Sequence, residues 1–191
     1  IANALIAEFI GIKIFSLENT LGLNTFYYKI FGEKVSFDLT AGVMLWPIVF
    51  VLTDIINEYF GIRGVRFLSY LTVALISYAF IGVYFAINLS PTSWWIESVA
   101  SSGIPNFQKA FEKIFGQGLW IIAGSLTAFL IGQIVDVRVF QKLKSITGEN
   151  KIWLRATGST LISQLIDSFV VLFIAFKIGA DWSWSLFLAV G

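Results

Sequence analysis

The chain has 191 residues, of which 57% are hydrophobic and 13% charged, and its formal net charge is +1. A soluble domain carries about 25% charged residues, so the composition places this chain in a membrane, and the near-zero charge gives no reason to invoke nucleic acid. With neither Cys nor His in the sequence, disulfides, thiolate or imidazole catalysis, and Cys or His metal sites are excluded.

Apolar stretches of about 20 residues mark helices that cross a bilayer. The first covers Ala2–Leu17. Glu8 and Lys13 inside it, and the lack of a small-residue cleavage site, argue against a signal peptide. The Ile at position 1 and the fresh apolar run Ser185–Val190 near the other end lead us to expect that both ends are incomplete. The second span runs from about Thr40 to Phe60, after a short extended stretch at Val35–Asp38, and is followed by Gly61 at a helix C′ position. The third runs from about Val65 to Asn88. A long connection follows, punctuated by Ser90-Pro91, Ser101-Ser102-Gly103 and Pro105. Its end, Asn106–Phe115, sets Phe107, Ala110, Phe111, Ile114 and Phe115 at helical spacing against Gln108, Lys109, Glu112 and Lys113. That pattern predicts an amphipathic helix lying on the membrane surface, with Trp94 and Trp95 in an aromatic belt. The fourth span covers Gly118–Val137 and the fifth Arg155–Lys177, and a sixth begins near the end. The expected fold is all-α: a single polytopic domain over residues 1–191, a bundle of six transmembrane helices plus one interfacial helix.

Lys and Arg crowd the second connection (Arg63, Arg66) and the fourth (Arg138, Lys142, Lys144, Lys151, Arg155). The positive-inside rule puts both in the cytoplasm, and with them both termini.

Polar residues inside these spans carry the functional signal, because a charged group at the centre of a bilayer costs roughly 2.5–3.5 kcal/mol on insertion scales. Asp54, Asn57 and Glu58 are spaced i, i+3, i+4 and share one helix face. Glu58 also suits a solvated helix end; Asp54, about 10 Å before that end, suits it poorly. Gln133-Ile134-Val135-Asp136 and Gln164-Leu165-Ile166-Asp167 are both Gln-x-x-Asp, on consecutive spans of opposite direction. Inverted elements meeting at a central site are a transporter feature. Asp136 alternatively reads as a boundary acid paired with Arg138 or a loop Lys. Asp167, about 18 Å along its helix from Arg155, lies near the midplane. Lys13 can snorkel, Glu8 is expected to reach a cavity or a neighbouring helix, and Ala4, Ala7 and Gly11 suit helix packing. No Walker A loop is present, so the chain itself hydrolyses no nucleotide. Thr-Val-Gly-Tyr-Gly of potassium filters and Gly-x-Gly-Asp of membrane aspartyl proteases are missing as well.

Three motifs in order carry a resemblance: Pro47 with Thr53-Asp54-x-x-x-Glu58-x-x-Gly61; Gly132-Gln133-Ile134-Val135-Asp136-Val137-x-Val139-Phe140; and Ala156-x-x-Ser159-Thr160 leading to Asp167 and Ile174-Ala175-Phe176. Together they resemble the queuosine precursor transporter family, the bacterial and archaeal vitamin uptake transporter group. The resemblance implies a six-helix inner-membrane importer of 7-cyano- or 7-aminomethyl-7-deazaguanine, working by a secondary or facilitated mechanism. It implies that Asp54, Gln133, Asp136 and Asp167 match the family's polar positions. The ring chemistry agrees with it. A carboxylate can accept the ring N–H and the amino group together, with charge-assisted bonds. A Gln amide can donate to the ring carbonyl and accept from an N–H. Asp167, the deepest acid, is the expected carboxylate reader, with Asp54 second. The substrate-binding set expected is thus Asp54, Asn57, Glu58, Gln133, Asp136, Gln164 and Asp167. No cofactor or metal is called for. The partners expected are a nucleobase-like solute and the bilayer, with a homodimer left open.

Two other functions remain open on the sequence: a substrate-binding membrane subunit of a larger ATP-driven vitamin importer, and a membrane enzyme using paired Asp. The orientation is testable directly, since the chain has no native Cys. A Cys placed at Lys144 should resist a membrane-impermeant thiol reagent in intact cells and react after permeabilisation; labelling in intact cells reverses the topology.

Overall fold

The computed structural model describes residues 1–116, 119–148 and 151–190; the expected start of the fourth span, Gly118, lies outside them. Helix α1 (Ala2–Ile10) ends well before Leu17, shorter than the sequence pattern suggests. Ile14 and Phe15, apolar enough for a span, instead enter strand β1 (Ile14–Ser16), where β-branched and aromatic residues fit well. After helix α2 (Leu17–Thr20) come β2 (Tyr28–Ile30), β3 (Glu33–Val35) and β4 (Asp38–Thr40). β2 and β3 form one antiparallel ribbon, and β1 pairs with β4, setting Ile14 opposite Thr40 and Ser16 opposite Asp38. The expected extended stretch at Val35–Asp38 is therefore the end of one strand and the start of another.

Glu18 fastens the base of this excursion, accepting from the Ser16 hydroxyl at 3.0 Å and the Phe37 N–H at 3.3 Å. Its own backbone N–H, and then these two donors, hold its carboxyl below the usual range against an opposing desolvation. The tie is thus complete at neutral pH and weakens only as acid protonates the carboxylate.

Helix α3 (Trp46–Asn88) takes Pro47 in its first turn, where the missing N–H costs nothing. Its 43 residues would make a rod of about 65 Å, twice the ~30 Å hydrocarbon core. Gly61 interrupts it, with φ 64° and ψ −165°, a combination open in practice only to glycine. Thr53 and Ile56 of the first arm and Leu68, Ser69 and Thr72 of the second line one cavity, so the arms lie against each other. The helix α4 (Ser93–Glu97) and helix α5 (Phe107–Phe115) follow. Asn106 caps α5, its side chain accepting from the Lys109 N–H at 3.0 Å. The apolar face of α5 sets Phe107 4.9 Å from Trp95 and Phe115 6.5 Å from Phe9, centroid to centroid.

Helix α6 (Leu119–Thr147) continues beyond the expected Val137: the apolar run stops there, but Gln141, Lys142, Leu143 and Lys144 are good helix formers. Helix α7 (Ile152–Leu172) passes into a π-helical turn at Phe173–Ile178, and α8 (Trp184–Val190) follows. α6 and α7 make the most extensive contact in the molecule and run antiparallel. Small residues permit it: a Cβ added to Gly124 would lie 3.2 Å from the Ala175 nitrogen, and one on Gly132 3.3 Å from Asp167 Oδ1. α1 docks by the same means, with Ala4 and Ala7 buried and the Ala7 carbonyl against Gly42.

Among the described residues three helical stretches are long and apolar enough to cross a membrane: α3, the stretch containing α6, and α7 with its π-helical extension. The chain is an all-α, multi-pass membrane protein decorated by two small ribbons.

Gly61 and Gly82 separate backbone strain from packing, since nothing lies within 4 Å of a Cβ at either. Gly61→Ala should cost about 1–3 kcal/mol, whereas Gly82→Ala, on ordinary helical backbone, should gain roughly 0.5–1 kcal/mol. Denaturant unfolding of the two variants in the same detergent gives the comparison; equal effects refute the assigned role of the bend.

Candidate functional site

The polar residues of the spans gather on α6. At its C-terminal end Glu58 bridges two cations, Lys144 at 2.9 Å and Arg155 at 3.2 Å. Arg155, which the sequence places among loop cations, is 1% exposed. It also donates to the Gly148 carbonyl and lies over the Phe140 ring. Glu58 is accordingly no solvated helix end: its carboxylate is engaged by a buried guanidinium, a charge that needs pairing in the interior. One residue back, Asn57 is fully buried and its Oδ1 accepts from Gln141 Nε2 at 2.8 Å, while its Nδ2 has no partner among the described residues.

Further along α6, Asp136 is 1% exposed and accepts from the Ser163 hydroxyl at 3.4 Å, with Ser159 and Thr160 acting on the same carboxylate. It is paired with α7 hydroxyls rather than with Arg138 or a loop Lys. Asp54 stands within electrostatic reach of Asp136, and its Oδ1 is buried with no hydrogen-bond partner among the described residues.

Asp167 rests against Gly132, within electrostatic reach of Glu8 on α1. Glu8 in turn accepts from the Ser125 hydroxyl at 2.5 Å. This second acidic group joins α1, α6 and α7. Gln164, half-buried on α7, sits beside it in sequence without lining the main cavity. Among the described residues no three acids assemble into a metal-holding group.

Gln133 stands apart from both clusters. It is 3% exposed, and neither its amide oxygen nor its amide nitrogen has a partner among the described residues. It lines a cavity of about 270 Å³ between α1, the two arms of α3, and α6, together with Asn3, Thr53, Ser69, Thr72 and Phe129. Of the seven residues singled out from the sequence, it is the one that lines this cavity. Ser69, Thr72, Ser125 and Gln141 escaped the sequence reading, while Thr53 entered it only inside a motif and Arg155 only as a cation at the end of a connection. A hydroxyl costs little in an apolar helix and leaves no mark on hydropathy. The two cavity hydroxyls whose bonds are resolved could still have been flagged as residues that bond back to their own helix.

Residues 40–190 match the model of a family described as "Putative vitamin uptake transporter". The chain is similar to a "Probable queuosine precursor transporter" of Bacillus subtilis, 34% identical over 148 residues that make up 75% of this chain and 59% of that protein. It is also similar to a "Queuosine precursor transporter" of Escherichia coli, 28% identical over 145 residues, 74% of this chain and 57% of that one. A Haemophilus influenzae protein named like the first is 29% identical over 155 residues, 78% and 57% of the two chains. The chain thus spans a little over half the length of the curated relatives it matches. No solved structure matches it.

The asymmetry of the Glu58 cluster gives a stability test. Glu58→Gln breaks an ion pair with the buried Arg155 guanidinium and should cost about 3 kcal/mol. Lys144→Gln removes the more exposed partner and should cost under about 1 kcal/mol. Equilibrium unfolding in micelles measures both; equal losses refute the view that the buried pair with Arg155 outweighs the more exposed pair with Lys144.

Proposed function

The chain belongs to the vitamin uptake transporter family, and on that footing we propose that it carries queuosine precursors, 7-cyano- or 7-aminomethyl-7-deazaguanine, into the cell across the inner membrane. One observation supports this reading above the rest: an almost completely buried amide, Gln133, with both polar atoms unpartnered among the described residues, lines a cavity between helices. A buried, unpartnered amide costs about 1–3 kcal/mol. A solute with a donor and an acceptor side by side removes that cost when it binds. The names of the relatives supply the solute class.

In this reading the bundle has six spans, with the two arms of α3, α6 and α7 forming four of them, α1 and α8 belonging to the first and sixth without crossing by themselves, both termini cytoplasmic and α5 on the outer surface. Asp54, Asn57, Glu58, Gln133, Asp136, Gln164 and Asp167 serve the path. The Glu58 cluster holds together the ends of α3's first arm, α6 and α7 at the cytoplasmic face. Transport is passive or exchanging, and downstream consumption of the precursor keeps the flow inward.

Proteoliposomes containing this protein alone should take up labelled 7-cyano-7-deazaguanine saturably, levelling at the external concentration with or without an imposed pH gradient. Accumulation above that level only with the gradient would replace passive entry by proton coupling. Uptake no faster than in protein-free liposomes would refute the transport reading altogether.

A further inference from the structure

The cavity at Gln133 is specific in what it offers a ligand. The Thr53 hydroxyl donates its hydrogen to the Val49 carbonyl at 2.9 Å, and the Ser69 hydroxyl to the Val65 carbonyl at 2.9 Å. With their hydrogens committed, both oxygens keep lone pairs and act toward a ligand as acceptors. Gln133 contributes one acceptor, Oε1, beside one donor, Nε2. No side chain lining the cavity carries a charge; apart from Asn3 and Thr72 the remaining wall is apolar, with Phe129 and the aliphatic groups of both α3 arms. At about 270 Å³ it is smaller than the ~300–1,000 Å³ typical of pockets for drug-sized ligands, and suits one fused ring pair.

We infer that this cavity is the recognition subsite for an uncharged bicyclic lactam: Gln133 reads the adjacent ring N–H and carbonyl, and the Thr53 and Ser69 oxygens accept from the neighbouring amino group. The inference rests on the transport reading above and goes further. It moves ring recognition from the carboxylates, Asp167 and Asp54, to a neutral amide and two hydroxyls. It also selects between the two candidate precursors. An aminomethyl substituent is an ammonium at neutral pH, and an ammonium placed in an apolar wall without a paired anion is strongly disfavoured. A cyano group carries no charge. The subsite therefore prefers the 7-cyano ring. Asp167, held against Gly132 and facing Glu8, is left to act elsewhere on the path.

Calorimetric titration of the full chain in detergent micelles tests this with three probes: 7-cyano-7-deazaguanine, its 7-aminomethyl counterpart, and the 7-cyano ring lacking the amino group. The wild type should bind the first at least tenfold more tightly than either of the others. Gln133→Leu should weaken the first by roughly tenfold or more. Thr53→Val, which keeps the side-chain shape, should erase most of the discrimination between the first and third probes while leaving the third unchanged. Both variants put apolar atoms in place of buried polar ones, and a melting temperature within a few degrees of wild type verifies the fold. If the wild type binds these rings but Gln133→Leu and Thr53→Val bind them as the wild type does, the subsite lies elsewhere and the transport reading stands. Discrimination lost in Asp167→Asn and kept in both cavity variants returns the reading role to the carboxylate. If the wild type binds none of the three, the transport reading falls, and the subsite with it.

Discussion

Lipid supplies no hydrogen bonds, and α6 is the helix on which that constraint falls most heavily. From Lys144 back to Ser125 it meets polar partners at intervals of about one to three turns: Glu58 at Lys144, Asn57 at Gln141, Ser163 at Asp136, Glu8 at Ser125. From the first of these residues to the last the helix rises about 28 Å, close to the full ~30 Å of hydrocarbon. Each partner comes from another element, so satisfying α6 fixes where α1, the first arm of α3, and α7 must stand. Gln133 is the residue in this series whose side chain is left facing a cavity, and it is where a solute has most to offer.

Close backbone approach makes the series possible. Gly124 and Gly132 bring α7 so near that Asp167 and Ser163 reach α6 directly. Larger residues there would push the carboxylate and hydroxyls out of range and leave Asp136 in an apolar gap. The two Gln-x-x-Asp motifs then meet at one level from opposite directions, yet they do different things. Asp136 is tied to hydroxyls on α7, while Asp167 rests against Gly132 within electrostatic reach of Glu8 on α1. The likeness of the motifs is one of sequence more than of environment.

Much of the helical framework could be read from the chain. Phe107–Phe115 with its Asn106 cap, the break at Gly61 and the end of α3 at Asn88 all follow from period, cap and breaker chemistry, which are local. Arg155 was not legible as a buried residue, because an arginine next to a basic loop looks the same in sequence whether it faces water or a glutamate 97 positions away. Glu8 and Ser125 are 117 positions apart, and nothing in either neighbourhood announces the other. The first apolar stretch misled for the opposite reason: hydropathy cannot tell a strand of Ile and Phe from a turn of helix, and the pairing of β1 with distant β4 decided it. Spacing showed that Asp54, Asn57 and Glu58 share a face. Which helix that face would meet depended on tertiary packing.

The β1–β4 ribbon has a practical side. It closes the chain before α2 onto the chain before α3, so everything from Leu17 to Phe37 leaves and re-enters at one fixed point. The region matching the family begins at residue 40, just where that closure ends. Beyond that neck, Glu33 of β3 also accepts from the Ser185 hydroxyl of α8 at 3.0 Å, so a change of length or content is best confined to the turn ahead of it. The exposed turn at Phe31 and Gly32, between β2 and β3, is therefore a suitable place to graft an epitope or a rigid fiducial domain, giving a small membrane protein the asymmetric mass that single-particle imaging needs.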